Sequence, residues 1–137
     1  MKFSARARYG IRFLLYLGGS GEARVGNIPE FARRENLSAR FLSQILIQLK
    51  AGGLVKAVRG PKGGYLLARP SREIPVLDIL KVLDDDFSEP ADLPEDGILV
   101  CLWNEIQASM KEKLARLTLR DLAEWRLRNG AGYSYDI

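Results

Sequence analysis

Hydrophobic residues recur at helical spacing between positions 38 and 51 and predict one amphipathic helix. Its apolar side carries Phe41, Leu42, Ile45, Leu46 and Leu49. Its opposite side carries Arg40, Ser43, Gln44 and Ile47. Ser38 suits the N-cap because its hydroxyl can accept from an unpaired backbone N–H, and Gly52-Gly53 can end the helix. We therefore expect one side to pack and the other to remain free for contact.

Two short runs with strand character follow this helix, at residues 54–58 and 65–68, and predict a β-hairpin. They flank the segment RGPKGG, whose glycines and proline favour a turn. The tip of the hairpin carries Arg59, Gly60 and Lys62. A helix with Arg, Ser and Gln edges suits the major groove of DNA, and a basic loop beside it suits a phosphate backbone or the minor groove.

Two further helices are predicted before this unit. The first begins at Ser4, a suitable N-cap, and runs to about Leu17. A glycine-rich connection over residues 18–26 contains no phosphate-loop motif. A short helix from residue 28 to about residue 35 then leads into the helix that starts at Ser38. This order has the spacing of a three-helix DNA-binding core.

The second half of the chain is predicted to be helical as well. Residues 76–83 are apolar nearly all round, so this helix must be buried. A long helix from residue 98 has an apolar seam with spacings of three and four, formed by Leu99, Trp103, Ile106, Met110, Leu114 and Leu117. Such a seam is typical of an interhelical contact, either with the same helix of a second subunit or with residues 76–83, and both can hold at once. Thr118 and Asp121 form a predicted capping box for a last helix to about Arg128, before a tail.

Charge is distributed unevenly along the 137 residues. Residues 1–72 carry 14 Lys and Arg against 3 Asp and Glu, whereas residues 73–100 carry 1 against 9. A basic first half is typical of a protein that binds a polyanion. A solvated basic surface would have the same charge, but the exposed helix side and the basic hairpin favour DNA.

Several classes of protein are disfavoured by composition. The chain has one Cys and no His, so an internal disulfide is impossible, in keeping with a reducing cytoplasm. No apolar run reaches the ~18 residues of a membrane span, and no signal peptide is recognisable, so we expect a soluble cytoplasmic protein. No nucleophile–base pair or phosphate loop can be assembled, which argues against an enzyme.

The stretch LSARFLSQILIQLKAGGLVKAVRGPKGGYLLARP resembles the winged-helix transcriptional regulators of the IscR, NsrR and CymR family (Rrf-two type). In that family a recognition helix ending in a G-L-V turn precedes a wing reading V-R-G-P-x-G-G-Y-L-L. The similarity continues in FSARARYGIRFLLYL, IPVLDILKVLD, CLWNEI and LTLRDL. It implies a mainly α fold with a small β-hairpin wing: a winged helix-turn-helix domain in 1–72, a linking helix and acidic loop in 73–97, and a dimerisation helix with a short final helix and tail in 98–137.

The resemblance implies a homodimeric repressor on a near-palindromic site in double-stranded DNA. It places the start of the first helix on the DNA backbone, although Tyr9 could instead belong to the core. The predicted DNA-binding residues are Ser4, Arg6, Arg8, Tyr9, Ser38, Arg40, Phe41, Ser43, Gln44, Arg59, Gly60 and Lys62. Arg40, Ser43 and Gln44 are expected to face bases, with Phe41 half-packed. A protein or small-molecule effector remains open, as does an adaptor that acts through a protein partner on the long helix.

The acidic segment DDDFSEPADLPEDG, residues 84–97, is expected to form an exposed loop. Cluster-binding members of the resembled family carry their cysteines here, and this chain has none. The single Cys101 lies two residues before Trp103, and an iron–sulfur cluster needs about four thiolate or imidazole ligands, so no cofactor is predicted. A hard cation among the carboxylates is the alternative to a solvated loop. Cys101 is expected to be a small buried hydrophobe, with an oxidation sensor as the alternative.

Overall fold

The computed structural model describes residues 3–19, 23–84 and 97–129, and these are mainly helical. The elements are α1 (Ala5–Gly18), α2 (Ile28–Glu35), α3 (Ala39–Ala51), β1 (Val55–Val58), β2 (Gly64–Leu67), a 3-10 helix (Ser71–Glu73), α4 (Val76–Leu83), α5 (Gly97–Arg116) and α6 (Leu119–Asn129). The predicted fold class, α with a two-stranded hairpin, is confirmed.

The predicted helix caps are confirmed in the structure. The Ser4 hydroxyl accepts from the backbone N–H of Ala7 at 3.1 Å, and the Ser38 hydroxyl accepts from that of Phe41 at 3.0 Å. At the start of α6, Thr118 and Asp121 cap each other's backbone N–H groups, at 2.9 and 3.2 Å. Each cap satisfies donors that the first turn of a helix leaves unpaired, so these helices begin where their local sequence dictates.

The hydrophobic core lies between α1, α3 and α4. Its largest fully buried side chains are Phe13, Phe31, Leu14, Leu17, Leu42, Ile45, Leu46, Leu49, Leu54, Ile74, Ile79 and Leu80. Helix α4 buries most of its surface, as its nearly continuous apolar sequence predicted. Helices α1 and α4 approach closely at Gly10, where an added Cβ would collide with the side chain of Leu83.

The hairpin pairs antiparallel, with Val55 opposite Leu67 and Val58 opposite Gly64. Its second strand is also joined to the segment before α2. The backbone N–H of Gly26 donates to the carbonyl of Tyr65 at 2.9 Å, and the N–H of Tyr65 donates to the carbonyl of Gly26 at 2.8 Å. The wing is therefore attached to the three-helix core at two points in the sequence, through β1 and through Gly26.

Helix α5 is attached to the core at its C-terminal end. The backbone N–H of Val76 donates to the carbonyl of Leu117 at 2.8 Å, and that of Leu119 donates to the carbonyl of Ile74 at 2.9 Å. Leu114 packs against the core from the last turns of α5. At ~1.5 Å per residue, α5 is about 30 Å long and α4 only about 12 Å, so α4 can cover less than half of α5.

Two expectations about the second half of the chain were wrong. Asp84 does not belong to an exposed loop: it is 2% exposed, and its carboxylate accepts a hydrogen bond from the backbone N–H of Ser4. Cys101 is not buried but exposed, because the apolar segment around it lies on a helix that the rest of the described chain does not cover. The remainder of the acidic loop, residues 85–96, and the tail lie outside the described residues. None of the described helices has the length and apolar character to cross a membrane.

Candidate nucleic-acid interface

Helix α3 buries one side and exposes the other. Leu42, Ile45, Leu46 and Leu49 are buried. Arg40, Gln44 and Ile47 are exposed and, at spacings of four and three residues, share one face of the helix. Ser43 and Phe41 are half-buried at the edges of that face. The exposed face thus offers a guanidinium, an amide and a branched apolar side chain, each able to reach a base edge in a major groove.

The cations next to this face are available for a ligand. Among the described residues, Arg40, Arg59 and Lys62 form no ion pair with a carboxylate. Burial and a hydrogen bond with Glu30 raise the pKa of Tyr16, which packs against Phe13 and Phe31 and not on this face.

The start of α1 lies beside α3 and extends the same surface. The Arg6 guanidinium donates to the side-chain carbonyl of Gln48 in α3 at 3.3 Å. The Tyr9 ring meets the Phe41 ring edge-on, with centroids 6.2 Å apart. Tyr9 is half-buried and packs against the core, and the Arg8 guanidinium lies 5.8 Å from its centroid. The two helices therefore present their basic side chains from one continuous surface.

Ser4 has used most of its hydrogen-bonding capacity within the chain. Its backbone N–H donates to Asp84 and its hydroxyl oxygen accepts from Ala7. The hydroxyl proton remains available as a donor. A phosphate contact from Ser4 would have to use that proton.

The wing presents its basic residues at an exposed tip. Arg59, Gly60 and Lys62 are all exposed. The tip is closed by a hydrogen bond from the N–H of Gly63 to the carbonyl of Gly60 at 2.9 Å, and Gly60 has a φ of 112°, which favours glycine. The tip therefore projects its two cations from a short, defined turn.

Three residues of this surface are absent from the predicted set. Ile47 is 68% exposed, and its position on the polar side of the helical wheel was the available signal. Lys56 is exposed on β1 and adds a cation to the wing. Gln48 holds Arg6 through a contact between distant parts of the chain, and the sequence carries no signal for it.

The predicted seam of α5 is divided in the structure. Trp103, Met110, Leu114 and Leu117 are half-buried, and the last two pack against the chain's own core. The exposed apolar side chains are instead Ile98, Leu99, Leu102 and Ile106, at 79, 44, 54 and 41%. They occupy the half of α5 that is distant from the attachment at Leu117. Packing within the chain therefore holds for Leu114 and Leu117, and contact with a second subunit stays a prediction.

A compact three-helix core, an exposed third helix and a basic hairpin together define a winged helix-turn-helix DNA-binding protein. The family model for Rrf2, described as an iron-dependent transcriptional regulator, matches residues 3–125. The chain belongs to the Rrf2 family of transcriptional regulators, which are not enzymes.

Individual relatives agree with this assignment. The HTH-type transcriptional regulator CymR of Bacillus subtilis is 35% identical over 139 aligned residues, with 100% of both chains covered. Protein rrf2 of Nitratidesulfovibrio vulgaris is 32% identical, over 89% of this chain and 87% of the relative. Among solved structures, that of CymR, the global cysteine regulator of B. subtilis, superposes with a TM-score of 0.79 at 34% identity, covering 92% of this chain and 98% of CymR. That of IscR from T. potens gives 0.75 at 34% identity, covering 96% and 93%.

The family description mentions iron, but the donors of this chain do not fit an iron–sulfur cluster. Such clusters are held mainly by about four cysteine thiolates, with imidazole as the usual replacement. The sequence has one Cys and no His. Within residues 3–19, 23–84 and 97–129, no three potential ligands from His, Cys, Asp and Glu are grouped to hold a metal ion.

Proposed function

We propose that this transcriptional regulator is a homodimeric repressor that recognises a near-palindromic operator. The observation that carries the proposal is the exposed face of α3, where Arg40, Gln44 and Ile47 stand in one line beside the basic wing. A repressor of this kind would act by occupying its operator, so the proposal requires tight and specific binding by this surface.

The exposed face of α3 supplies sequence readout in this proposal. An arginine can donate two hydrogen bonds to guanine O6 and N7, and a glutamine can pair with adenine N6 and N7. Arg40 and Gln44 are therefore the direct readers. Ile47, one turn further along, suits the methyl group of a thymine, because a branched apolar side chain excludes water from that contact.

The start of α1 and the wing supply position and affinity. Arg6 and Arg8 lie on the surface next to α3 and would neutralise phosphates on one side of the groove. Arg59 and Lys62 project from the wing on a separate element, where they would reach the backbone or the adjacent minor groove. Contacts of this kind contribute salt-dependent affinity and fix the register of α3.

A dimer formed through α5 would bind two half-sites of DNA, one with each subunit. The exposed apolar stripe at Ile98, Leu99, Leu102 and Ile106 offers a self-complementary surface, because two copies related by a two-fold axis present it to each other. A two-fold dimer places its recognition helices about one turn of DNA apart and therefore requires a near-palindromic site.

Selection of bound fragments from random duplex DNA tests the proposal. We expect enrichment of an inverted repeat, and we expect Arg40→Ala or Gln44→Ala to change preference at the centre of each half-site. Lys111→Ala, on α5, is a control that removes a positive charge away from the proposed reading surface. Failure to enrich any sequence, or enrichment that both α3 variants retain unchanged, would contradict the proposal.

An adaptor function is the second candidate, and the same exposed stripe on α5 favours it. Those four side chains could meet a different protein instead of a second copy of this chain. Sedimentation of the purified protein separates the two possibilities. A monomer at micromolar concentration would favour the adaptor, and a dimer would favour the repressor.

A further inference from the structure

A cleft with a volume of about 330 Å³ lies between the exit of the wing and the first turn of α6. None of the described residues that line it belongs to α3 or to the tip of the wing. Leu67 at the end of β2 and Pro70 contribute apolar wall, and Arg120 of α6 also lines the cleft. Its volume is in the range of sites that hold small molecules, about 300 to 1,000 Å³.

Three arginines line this cleft: Arg69, Arg72 and Arg120. Among the described residues that line it, none is acidic. Each arginine forms an ion pair outside the cleft, with Asp78 at 3.5 Å, Glu73 at 4.0 Å and Glu124 at 3.4 Å, respectively. Arg69 also donates to the backbone carbonyl of Glu73 at 3.2 Å. These pairs are solvent-exposed and therefore weak, and each guanidinium has five N–H donors, so donors remain for a ligand.

Ser71 adds a hydroxyl to the same cleft. The residue is only 6% exposed. Its backbone carbonyl accepts from the N–H of Ile74 at 3.3 Å, but its hydroxyl forms no hydrogen bond with the described part of the chain. A hydroxyl that lines the cleft can donate a hydrogen bond to an anionic oxygen bound there.

We propose that this cleft is a binding site for a small organic carboxylate with an apolar tail. Guanidinium groups hold carboxylates through paired, charge-assisted hydrogen bonds, which accounts for the basic side. An inorganic anion would leave the apolar wall at Leu67 and Pro70 exposed to water. A ligand with a hydrocarbon chain would cover it. An occupant would contact both the exit of the wing and α6. The carboxylate would bind to the protein without DNA, so this site does not depend on the proposed operator.

Titration of the full chain with 4-methylpentanoate, acetate and inorganic phosphate at constant ionic strength tests this site. We expect saturable calorimetric binding of 4-methylpentanoate that is tighter than that of acetate or phosphate. Arg120→Gln should weaken it about tenfold, the usual size of effect for a lost charge-assisted hydrogen bond. Arg128→Gln removes the same charge from the same helix outside the cleft and should leave binding unchanged.

Ser71→Ala supplies a second variant that keeps every charge. It should weaken binding by less than Arg120→Gln, with an unchanged circular dichroism spectrum. Absence of saturation, equal binding of the three anions (an adventitious ion only), or equal loss in Arg120→Gln and Arg128→Gln would overturn the proposal. Tighter binding of phosphate than of 4-methylpentanoate would overturn the assigned ligand class.

Discussion

Asp84, the C-cap residue that follows α4, accepts a hydrogen bond at 3.1 Å from the backbone N–H of Ser4, the N-cap of α1. A carboxylate at this position satisfies a backbone donor and interacts favourably with the positive end of the helix dipole. It also connects the beginning of the acidic segment to the part of α1 that lies next to α3.

This contact predicts a specific loss of stability in Asp84→Ala. Removing the acceptor leaves the Ser4 N–H without its partner in a part-buried position, so the free energy of unfolding should fall by about 1 to 3 kcal/mol. Asp84→Asn keeps an acceptor oxygen and should lose less. Urea unfolding measures the difference, with the exposed Glu112→Ala as control. Wild-type stability in Asp84→Ala would show that the hydrogen bond contributes nothing.

Substitution of Ile47 should weaken DNA binding without lowering the stability of the fold. Because its side chain is 68% exposed, Ile47→Ala should change the free energy of unfolding by less than about 0.5 kcal/mol. The lost apolar contact should weaken binding by about 1 to 2 kcal/mol at operators with thymine in the matching position. Leu46→Ala, a buried neighbour, should instead lower stability by about 2 to 5 kcal/mol. Equal affinity of Ile47→Ala for all base substitutions would remove Ile47 from the reading surface.

Arg59 and Lys62 should contact different parts of the DNA. A guanidinium on the wing can enter a narrow minor groove, where A·T-rich sequence strengthens the negative potential. Arg59→Ala should therefore reduce preference for A·T pairs at the flanks of each half-site, at a loss of about 1 to 3 kcal/mol. Lys62→Ala should weaken all sequences alike and lower the slope of affinity against salt by about one unit. Unchanged affinity and flank preference in Arg59→Ala would exclude the wing from the interface.

The exposed stripe of α5 predicts the oligomeric state. Leu102→Asp combined with Ile106→Asp should convert a dimer into a monomer, because both residues are exposed within one chain and would bring like charges together across a two-fold axis. Trp103 is less suitable, since it is half-buried in its own chain and its substitution would also disturb the monomer. Sedimentation measures the result, with Asn104→Asp as a control that adds a charge on an exposed position of the same helix outside the stripe. A double variant that remains dimeric would show that the dimer interface does not include this stripe.

The absence of suitable ligands predicts that the protein binds no iron–sulfur cluster. Protein purified without oxygen should be colourless and contain no stoichiometric iron or sulfide, because one Cys and no His cannot supply the usual ligands. Absorption spectroscopy and metal analysis check this. A brown protein with cluster absorption would mean that other side chains serve as ligands.

Local chemistry explains which parts of the fold were predictable. The caps at Ser4, Ser38 and Thr118 follow from neighbouring residues, and the burial of α4 follows from its own sequence. The partnership of Ser4 with Asp84 joins residues 80 positions apart and has no local signal. Cys101 was misjudged because the sequence of an apolar helical segment does not indicate whether the rest of the chain covers it.

The candidate DNA-binding surface, like the fold, was predictable where it depends on local sequence. The helical wheel separated the exposed Arg40 and Gln44 from the buried leucines, since helix periodicity alone determines that separation. The pairing of Arg6 with Gln48 and the division of the α5 seam depend on how distant helices pack, which periodicity does not encode.

The two hydrogen bonds between Gly26 and Tyr65 limit the conformational entropy that the wing loses when it binds DNA. With β2 held on both of its edges, rigid-body swinging of the hairpin is suppressed, and conformational freedom is confined to the tip around Arg59 and Lys62. The entropy lost on association is then that of a few side chains instead of a whole hairpin. The protein should therefore bind as a preorganised surface, with association rates set by electrostatic attraction and not by a folding step.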